Sequence, residues 1–370
     1  MRRKILIVCG QLALGGAERE LVTFLAAVRG GPWEFRVACL NEGGEFRPDV
    51  ERLSGHAVQT PGTGSRWMRL RWLRRLIQGW RPDLIHAWNL YPMFYLKMGF
   101  VRRPCPILGF LQNIPSQARK EDFHSWIFPF LARAPDGVVS NSQAALTELG
   151  QMGIPVRRSK VVHNAVASPF FDAEPLDEVM ARKGPRLVVV AVGRLIVRKR
   201  TDWMIRAVHD LSEQGLDFDL WLVGAGPEED SLRALARKLG VEEQVVFWGA
   251  RLDVQHILPA ADVFLHCAAA EGLPNAVQEA MAAGLPVVAS DTSGIPEIVT
   301  PGAEGLLYAT HDYGACLAAL KNMLGDEALR KMCAARARAR AERDFRPETM
   351  AQHMLDFYAE TMDHWRRRIG

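Results

Sequence analysis

The sequence predicts an α/β protein made of two doubly wound domains, each with a parallel sheet covered by helices on both faces. Short apolar runs rich in Val and Ile alternate with amphipathic stretches of helical length, a pattern typical of parallel sheets that are buried on both faces. This series of runs occurs twice, and a length of 370 residues accommodates two domains. We therefore expect two sheets rather than one.

The predicted strands fall into two series of six. Those of the first series are Lys4–Cys9, Phe35–Leu40, Leu84–Ala87, Ile107–Leu111, Gly137–Ser140 and Lys160–His163. Those of the second series are Leu187–Val192, Asp219–Val223, Val245–Trp248, Val263–His266, Pro286–Ala289 and Gly305–Tyr308.

The stretch between the two series is rich in Pro, Gly and acidic residues and has no clear period, which is typical of a linker. We expect an N-terminal domain at 1–165, a linker at 166–185 and a C-terminal domain at 186–345. A final helix is predicted at about 346–370, and we expect it to pack back on the N-terminal domain.

The composition, with 48% hydrophobic and 24% charged residues, is that of a globular chain with a large core. Its apolar runs stay well below the roughly 20 residues that cross a bilayer. The basic and apolar start of the chain is interpreted as the first strand rather than a secretory signal. The six cysteines lie far apart without a C-x-x-C pair, so we expect no zinc site, no disulfides and a cytoplasmic location.

Positive charge is concentrated in the first half of the chain. Residues 1–180 contain 23 Lys and Arg against 16 Asp and Glu, whereas residues 181–370 contain 23 against 26. The stretch 66–81 holds six arginines and no acid, and as a helix it has one face with Trp67 and Trp80 and one basic face. Such a helix either lies on an anionic membrane surface, at the inner face of the membrane, or covers the core of its own domain. No recognition motif for nucleic acid accompanies the charge, so we expect no nucleic-acid partner.

A segment of the second half places two glutamates around the start of a predicted helix. Pro274 suits the first turn of a helix, so Glu271 falls in the preceding loop and Glu279 about one turn inside. The free N–H groups of Asn275 and Ala276, at the positive end of the helix dipole, suit a phosphate. The two carboxylates can then accept hydrogen bonds from hydroxyl groups on either side of it.

Two further loops carry groups that suit phosphates. Arg194 and Lys199 follow the first strand of the second series, and side chains at this spacing can clamp a diphosphate. Gly15 and Gly16 follow the first strand of the chain, and paired glycines let backbone N–H groups approach a ligand closely.

The segment from Glu271 to Glu279 resembles the E-x7-E signature of retaining glycosyltransferases of family 4. That resemblance implies the GT-B architecture, in which two Rossmann-like domains face a central cleft. It also implies that Glu271 contacts the donor sugar and that Glu279 contacts the ribose of the nucleotide. Arg194 and Lys199 match the G-R-L-x-x-x-K motif of the same family, which assigns them to the donor diphosphate.

The resemblance carries over further residues and includes two departures. The residues it assigns to the donor are Gly15, Gly16, Gly224, Arg251, Gly272, Leu273, Pro274, Asn275 and Ala276. His86 and Asn89 are assigned to the acceptor or sugar side, together with Trp88, which replaces the second His of the family's H-x-H pattern. A structural role for His86 remains an alternative. Arg200 replaces the family's usual Gly.

The resulting hypothesis is a retaining glycosyltransferase that needs no metal and no cofactor besides its co-substrate, a nucleotide diphosphate sugar. A UDP-sugar is favoured, and a GDP-sugar is the alternative donor. We expect a glycan or lipid-linked acceptor in the biosynthesis of a surface polysaccharide or lipopolysaccharide. Two other functions remain open, namely a GT-B sugar-nucleotide epimerase and a catalytically silent scaffold that binds nucleotide sugars.

Overall fold

A computed structural model describes residues 2–13, 15–62, 64–100, 103–112, 115–116, 127–156 and 158–369. The chain divides into two compact units. Unit 1 consists of Met1–Ala165 together with Pro347–Gly370, and unit 2 consists of Val166–Arg346. The final helix therefore returns to the unit that contains the start of the chain.

Unit 1 is built on a parallel sheet with the strand order β2-β1-β3-β4-β5-β6. Its strands are β1 (Arg3–Cys9), β2 (Trp33–Cys39), β3 (Leu84–Ala87), β4 (Ile107–Leu111), β5 (Gly137–Ser140) and β6 (Ser159–Val161). Its helices up to Ala165 are α1 (Gly16–Ala27), α2 (Arg47–Ser54), α3 (Arg66–Trp80), α4 (Tyr91–Gly99), α5 (Phe128–Ala132) and α6 (Gln143–Gln151).

Unit 2 is built on a second parallel sheet with the order β12-β11-β10-β7-β8-β9. Its strands are β7 (Leu187–Val192), β8 (Phe218–Val223), β9 (Val245–Gly249), β10 (Val263–His266), β11 (Val287–Asp291) and β12 (Gly305–Ala309). Its helices are α7 (Pro169–Asp172), α8 (Asp177–Met180), α9 (Thr201–Ser212), α10 (Glu229–Leu239), α11 (Asn275–Ala282), α12 (Ile295–Ile298), α13 (Tyr313–Gly325) and α14 (Glu327–Asp344).

These two sheets confirm the predicted fold class. Within the described residues each sheet has six parallel strands, and apolar clusters cover both of its faces. The predicted strands are present, five with the predicted bounds and seven with ends that differ by one or two residues, as at β6, which spans Ser159–Val161 rather than Lys160–His163. Strand ends are the least defined part of a pattern of apolar residues because polar residues begin there.

The last helix, α15 (Pro347–Ile369), belongs to the core of unit 1. Met350, Met354 and Phe357 are buried in the same cluster as β1 and α1. The hydroxyl of Tyr358 lies 2.7 Å from Nδ1 of His86 in β3, a contact that joins the end of the chain to the centre of the sheet. Helices α14 and α15 are separated at Phe345 and Arg346, where the chain passes from unit 2 to unit 1.

Residues 166–185, which the sequence predicts as a linker, pack onto unit 2. They contain the short helices α7 and α8, in which Phe170, Phe171 and Val179 are buried in the core. The backbone N–H of Val166 donates to the carbonyl of Phe345 at 2.8 Å. Helices of four residues are too short to show a periodic pattern, so the sequence does not reveal them.

Helix α3 presents its basic face to solvent and most of its apolar face to the core. Its N-cap residue is Ser65, whose hydroxyl accepts a hydrogen bond from the backbone N–H of Met68 at 3.4 Å. Leu73, Ile77 and Trp80 are buried, while Trp67 is 72% exposed. The core-facing interpretation therefore accounts for the second half of the helix. Among the described helices, none combines the length and the apolar character that crossing a membrane requires.

The loops that follow β7 and β8 lie against each other. Gly224 has φ +139°, and a Cβ atom there would lie 2.0 Å from the carbonyl oxygen of Gly193. This position therefore requires glycine, both for its backbone conformation and for the close approach of the neighbouring loop.

We expect Gly224→Ala to lower the free energy of unfolding by about 2 kcal/mol or more, since the added methyl group meets backbone rather than a movable side chain. Urea unfolding of the full chain measures the change. Gly79→Ala is the matched control, because a Cβ at Gly79 in α3 meets nothing within 4 Å. The free energy of unfolding of that variant should rise by about 0.5–1 kcal/mol, since alanine favours the helical conformation more than glycine does. Equal stability of the two variants would contradict the packing described here.

The buried carboxyl group of Glu20 contacts Ala165, the last residue of the first segment of unit 1. Glu20 in α1 is 4% exposed, and its Oε1 accepts a hydrogen bond from the backbone N–H of Ala165 at 3.0 Å. Burial raises the pKa of Glu20 from its usual 4.5 to about 8, because the charged form loses its hydration. The folded chain thus retains this proton over a pH range in which the unfolded chain releases it.

The stability contributed by Glu20 should be complete below about pH 4.5 and should be lost as the pH rises through about 8. Glu20→Gln keeps the shape and an acceptor for the N–H of Ala165 but does not titrate. Urea unfolding of both proteins between pH 5 and pH 8.5 measures the difference. The wild-type chain should lose stability relative to the variant as the pH rises, and a constant difference would contradict the buried titration.

Candidate donor-binding site

The predicted site residues of unit 2 cluster at the switch point of its sheet. β7 pairs with β8 on one side and with β10 on the other. The crossovers leave in opposite directions at such a point, so the loops after the two central strands border a crevice in which open α/β sheets bind ligands. Here those loops carry Arg194 and Lys199 after β7 and Glu271 after β10.

The loop after β7 is supported by the loop after β8. The backbone N–H of Leu195 donates to the carbonyl of Ala225 at 3.0 Å, and that of Glu228 donates to the carbonyl of Leu195 at 3.1 Å. A Cβ on Gly226 would lie 2.2 Å from the carbonyl oxygen of Leu195. The short 3₁₀ helix Val197–Lys199 that follows is thereby held in place before α9 begins.

Lys199 and Glu271 form an ion pair. The Lys199 Nζ lies 2.7 Å from the Glu271 Oε1, and the two side chains are 17% and 15% exposed. Their loops are also joined through the backbone, since the N–H of Ala269 donates to the carbonyl of Arg198 at 2.9 Å. The sequence assigns both residues to one ligand, and the structure places them in direct contact.

Arg194 differs from Lys199 in its surroundings. Its side chain is exposed, and among the described residues its guanidinium group has no hydrogen-bond or ion-pair partner. Guanidinium groups bind phosphates through two parallel N–H bonds. Of Lys199 and Arg194, the first is therefore paired and the second is available to a ligand.

Helix α11 begins beside the Glu271 loop. Pro274 is its N-cap residue and forms no side-chain capping hydrogen bond. The loop is fixed by a hydrogen bond from the N–H of Gly294 to the carbonyl of Gly272 at 3.1 Å, and Leu273 is buried. The first N–H groups of a helix, here those of Asn275 and Ala276, lack acceptors within the helix. This end of α11 thus has the polarity that favours an anion.

Glu279 lies one turn inside α11 and is 9% exposed. It does not belong to a solvated helix face, which is the usual location of a glutamate. A buried carboxylate needs compensating hydrogen bonds or charges, so contacts within the protein rather than solubility determine this position.

The sequence did not single out His266, the last residue of β10. It is 2% exposed, and burial, followed by the charge of Lys199, lowers its pKa well below the usual value. A neutral imidazole therefore lies near the Lys199 ammonium group. Its place at the end of a central strand, directly before the Glu271 loop, is the signal that could have identified it.

Arg251 and Arg200 are occupied by other protein groups. The guanidinium group of Arg251 donates to both carboxylate oxygens of Asp253, at 2.8 and 2.7 Å, and to Oε1 of Glu178 at 2.5 Å. These contacts, with Asp253 first, raise its pKa further. Arg200 donates to the carbonyl of Thr310 and stacks 4.5 Å above the ring of Trp203. A phosphate or base would have to displace the partners of either arginine.

In unit 1 some of the predicted site residues are buried and others are accessible. Gly15 is the N-cap residue of α1, and Gly16 is its first residue. His86 and Trp88 are 0% and 1% exposed. The indole N–H of Trp88 donates to the carbonyl of Ala17 at 2.8 Å.

The burial of His86 and Trp88 favours the structural alternative for His86 over contact with an acceptor. His86 is held against Tyr358, and burial lowers its pKa to about 3, so its imidazole is neutral. Asn89 is half-buried, and its Oδ1 accepts from the backbone N–H of Tyr91 at 3.1 Å. The amide nitrogen of Asn89 thus remains the candidate polar group at this end of β3.

No group of three or more His, Cys, Asp or Glu side chains suited to a metal ion occurs in the part of the chain that the structure describes.

Two family models match the chain, one in each unit. The model described as Glycosyltransferase Family 4 matches residues 14–168, and the model described as Glycosyl transferases group 1 matches residues 172–340. The chain belongs to glycosyltransferase family 4. The resemblance noted in the Glu271 segment is thereby confirmed for most of the sequence.

Relatives of this family 4 glycosyltransferase include enzymes of surface glycan synthesis. The lipopolysaccharide core biosynthesis glycosyltransferase LpsD of Rhizobium meliloti (strain 1021) is 27% identical over 352 residues, which is 93% of this chain and 95% of LpsD. The putative colanic acid biosynthesis glycosyltransferase WcaL of Escherichia coli (strain K12) is 33% identical over 235 residues, which is 60% of this chain and 56% of WcaL.

Among solved structures, Anabaena Alr3699/HepE in complex with UDP has a TM-score of 0.84 and 24% identity, over 96% of this chain and 100% of HepE. This likeness confirms the predicted GT-B fold.

The ion pair between Lys199 and Glu271 should appear as energetic coupling. We expect Lys199→Met and Glu271→Gln each to destabilise the chain, because each leaves a partly buried charge without its partner. The free energy of unfolding lost by the double variant should be smaller than the sum of the losses of the two single variants, by about 0.5–3 kcal/mol. Urea unfolding of the four proteins measures this coupling.

The exposed pair Lys331–Glu327 in α14, with side chains 76% and 67% exposed, is the control for this cycle. Its double-mutant cycle should show a coupling of at most about 0.5 kcal/mol, since water screens such pairs. Additive effects at Lys199 and Glu271 would contradict the ion pair.

Proposed function

We propose that this chain is a retaining glycosyltransferase that transfers a hexosyl unit from a nucleotide diphosphate sugar to a hydroxyl group of an acceptor, without a metal ion. The observation that carries the proposal is the contact of Lys199 with Glu271 at 2.7 Å, beside an accessible Arg194 and the amino-terminal end of α11. This arrangement combines groups for an anion with a carboxylate for sugar hydroxyls.

The difficult step of such a transfer is the departure of the nucleotide diphosphate. Arg194, Lys199 and the first N–H groups of α11 supply fixed positive charge for the developing negative charge, which is electrostatic stabilisation by groups already in place. In the proposal no metal ion is needed, because these groups neutralise the diphosphate.

Glu271 has two roles in the proposal. It holds Lys199 in position, and its second carboxylate oxygen is available to accept from a hydroxyl of the donor sugar. Glu279, one turn further along, is assigned to the ribose. Retention of configuration then follows from attack on the face from which the diphosphate departs, with a donor phosphate oxygen taking the proton of the acceptor hydroxyl.

For the donor we favour a UDP-sugar, with a GDP-sugar as the alternative. Support comes from HepE, which was solved in complex with UDP and shares the fold. We propose that the donor is also approached by the backbone of three glycines, namely Gly15, Gly16 and Gly224. Arg251 contacts the donor only if the ligand displaces Asp253 and Glu178 from its guanidinium group.

For the acceptor we propose a glycan or a lipid-linked glycan of a surface polysaccharide or lipopolysaccharide, bound by unit 1. The names of LpsD and WcaL support this class. Asn89 is the polar side chain of unit 1 that we assign to the acceptor. The exposed basic face of α3, with Arg71, Arg74 and Arg75, supports binding to an anionic membrane surface.

A thermal-shift panel of UDP, GDP, ADP and their sugar conjugates, with and without EDTA, tests the donor. A ligand at 100 times its dissociation constant should add about 2.7 kcal/mol of stability. Stabilisation by uridine nucleotides alone, unchanged by EDTA, is the expected result. A response that EDTA abolishes would refute the metal-free clamp.

Product formation with the preferred donor tests the carboxylate. Glu271→Ala should abolish transfer, whereas Glu243→Ala, which removes an exposed acid of unit 2, should leave it unchanged. Proton NMR of the product should show the anomeric configuration of the donor. Full activity of Glu271→Ala, or an inverted product, would overturn the proposal.

A further inference from the structure

Unit 1 contains a cavity of about 580 Å³ that the glycosyl transfer does not use. Its wall is formed by the segments that lead into β4, β5 and β6 and by the last turns of α15. It therefore lies at the amino ends of these strands, whereas ligands of α/β sheets bind at the carboxyl ends. Pockets of this volume hold small organic molecules.

The charge of the cavity wall is mainly positive. Among the described lining residues, four are arginines and one is an acid, namely Arg103, Arg133, Arg158, Arg368 and Asp136. Arg103 forms an ion pair with Asp136, in which Nη1 lies 2.7 Å from Oδ2. Arg368 lies 3.9 Å from the other oxygen of the same carboxylate. One carboxylate thus serves two guanidinium groups.

The other two arginines have weaker compensation. Arg133 donates to the carbonyl of Gly153 at 2.7 Å, which brings no negative charge. Arg158 lies 3.8 Å from Glu360, whose side chain is 57% exposed. An exposed pair at this distance contributes little. Guanidinium groups gathered around one cavity repel each other, and a bound anion relieves that repulsion.

Two buried donors at the cavity wall also lack protein partners. Thr361 is 1% exposed, and its hydroxyl has no hydrogen-bond partner among the described residues. The Nε of Arg158 is buried and likewise has none there. Buried donors are normally satisfied, so these two groups mark incomplete hydrogen bonding in the packing beside the cavity. Trp365 completes the wall with an aromatic surface that can cover an organic group.

We propose that this cavity is a binding site for a phosphate-bearing ligand, distinct from the donor site of unit 2. Arg133, Arg158 and Arg368 hold the phosphate, because planar guanidinium groups match its oxygens. Trp365 lies against the organic part, for which a cavity of this size leaves room. The same chemistry is offered by a soluble phosphate compound and by a phospholipid headgroup.

Calorimetric titration of the full chain with inorganic phosphate, at constant ionic strength in chloride buffer, tests the phosphate contacts. The variant Arg158→Gln/Arg368→Gln should bind phosphate about tenfold more weakly or worse, since losing one charge-assisted hydrogen bond has an effect of that order. Arg368→Gln alone should show part of this loss. Its side chain is 58% exposed, so this change leaves the fold intact.

Two controls separate the cavity from other cationic sites. Arg237→Gln/Lys238→Gln removes the same charge from an exposed part of α10 and should bind phosphate as the wild-type chain does. Arg194→Gln weakens the proposed donor clamp and should also retain phosphate binding at the cavity. If the double cavity variant binds phosphate like these controls, the proposal is overturned.

Flotation with vesicles identifies the source of the phosphate. Vesicles of phosphatidylcholine with phosphatidylglycerol are compared with phosphatidylcholine alone, using the wild-type chain and the double cavity variant. Loss of flotation in the cavity variant alone, with competition by inorganic phosphate, assigns the site to a lipid headgroup. A cavity-dependent calorimetric signal without such a difference in flotation assigns it to a soluble phosphate compound.

Discussion

The candidate site of unit 2 depends on the position of β7 between β8 and β10. These strands are parallel, so the loops that follow them emerge at one edge of the sheet. β7 and β10 are distant in sequence but adjacent in the sheet, which brings Lys199 within 2.7 Å of Glu271. Without that neighbour relation the two charged groups would belong to separate surfaces.

Hydrogen bonds to backbone carbonyls fix these loops without using the charged side chains. Besides the bond between Ala269 and Arg198, the hydroxyl of Ser290 at the end of β11 donates to the carbonyl of Ala268 at 2.7 Å. Three adjacent strand ends are thereby linked through one main-chain hydrogen bond and one from an uncharged hydroxyl group. Groups that are positioned before a ligand arrives need no reorganisation when charge develops, which is the property that favours catalysis by electrostatic stabilisation.

Several features were predictable from the sequence because they are local. The strands follow from apolar runs, and the helix predicted over 66–81 follows from the spacing of its apolar residues up to Trp80. The roles of individual residues were less predictable. Burial of His86 depends on Tyr358 in a helix 272 positions later, and the pairing of Arg251 with Glu178 depends on the fold of residues that look like a linker.

The sequence by itself determined the two α/β series, the family signature and the positions of the charged residues relative to strand ends, because spacing along the chain governs these properties. The tertiary structure decided which charges meet, which histidine is buried and which face of α3 covers the core. It also assembled the basic cavity of unit 1 from the segments before β4, β5 and β6 and from α15. These properties depend on strand order and packing between distant segments, and local spacing carries no information about either.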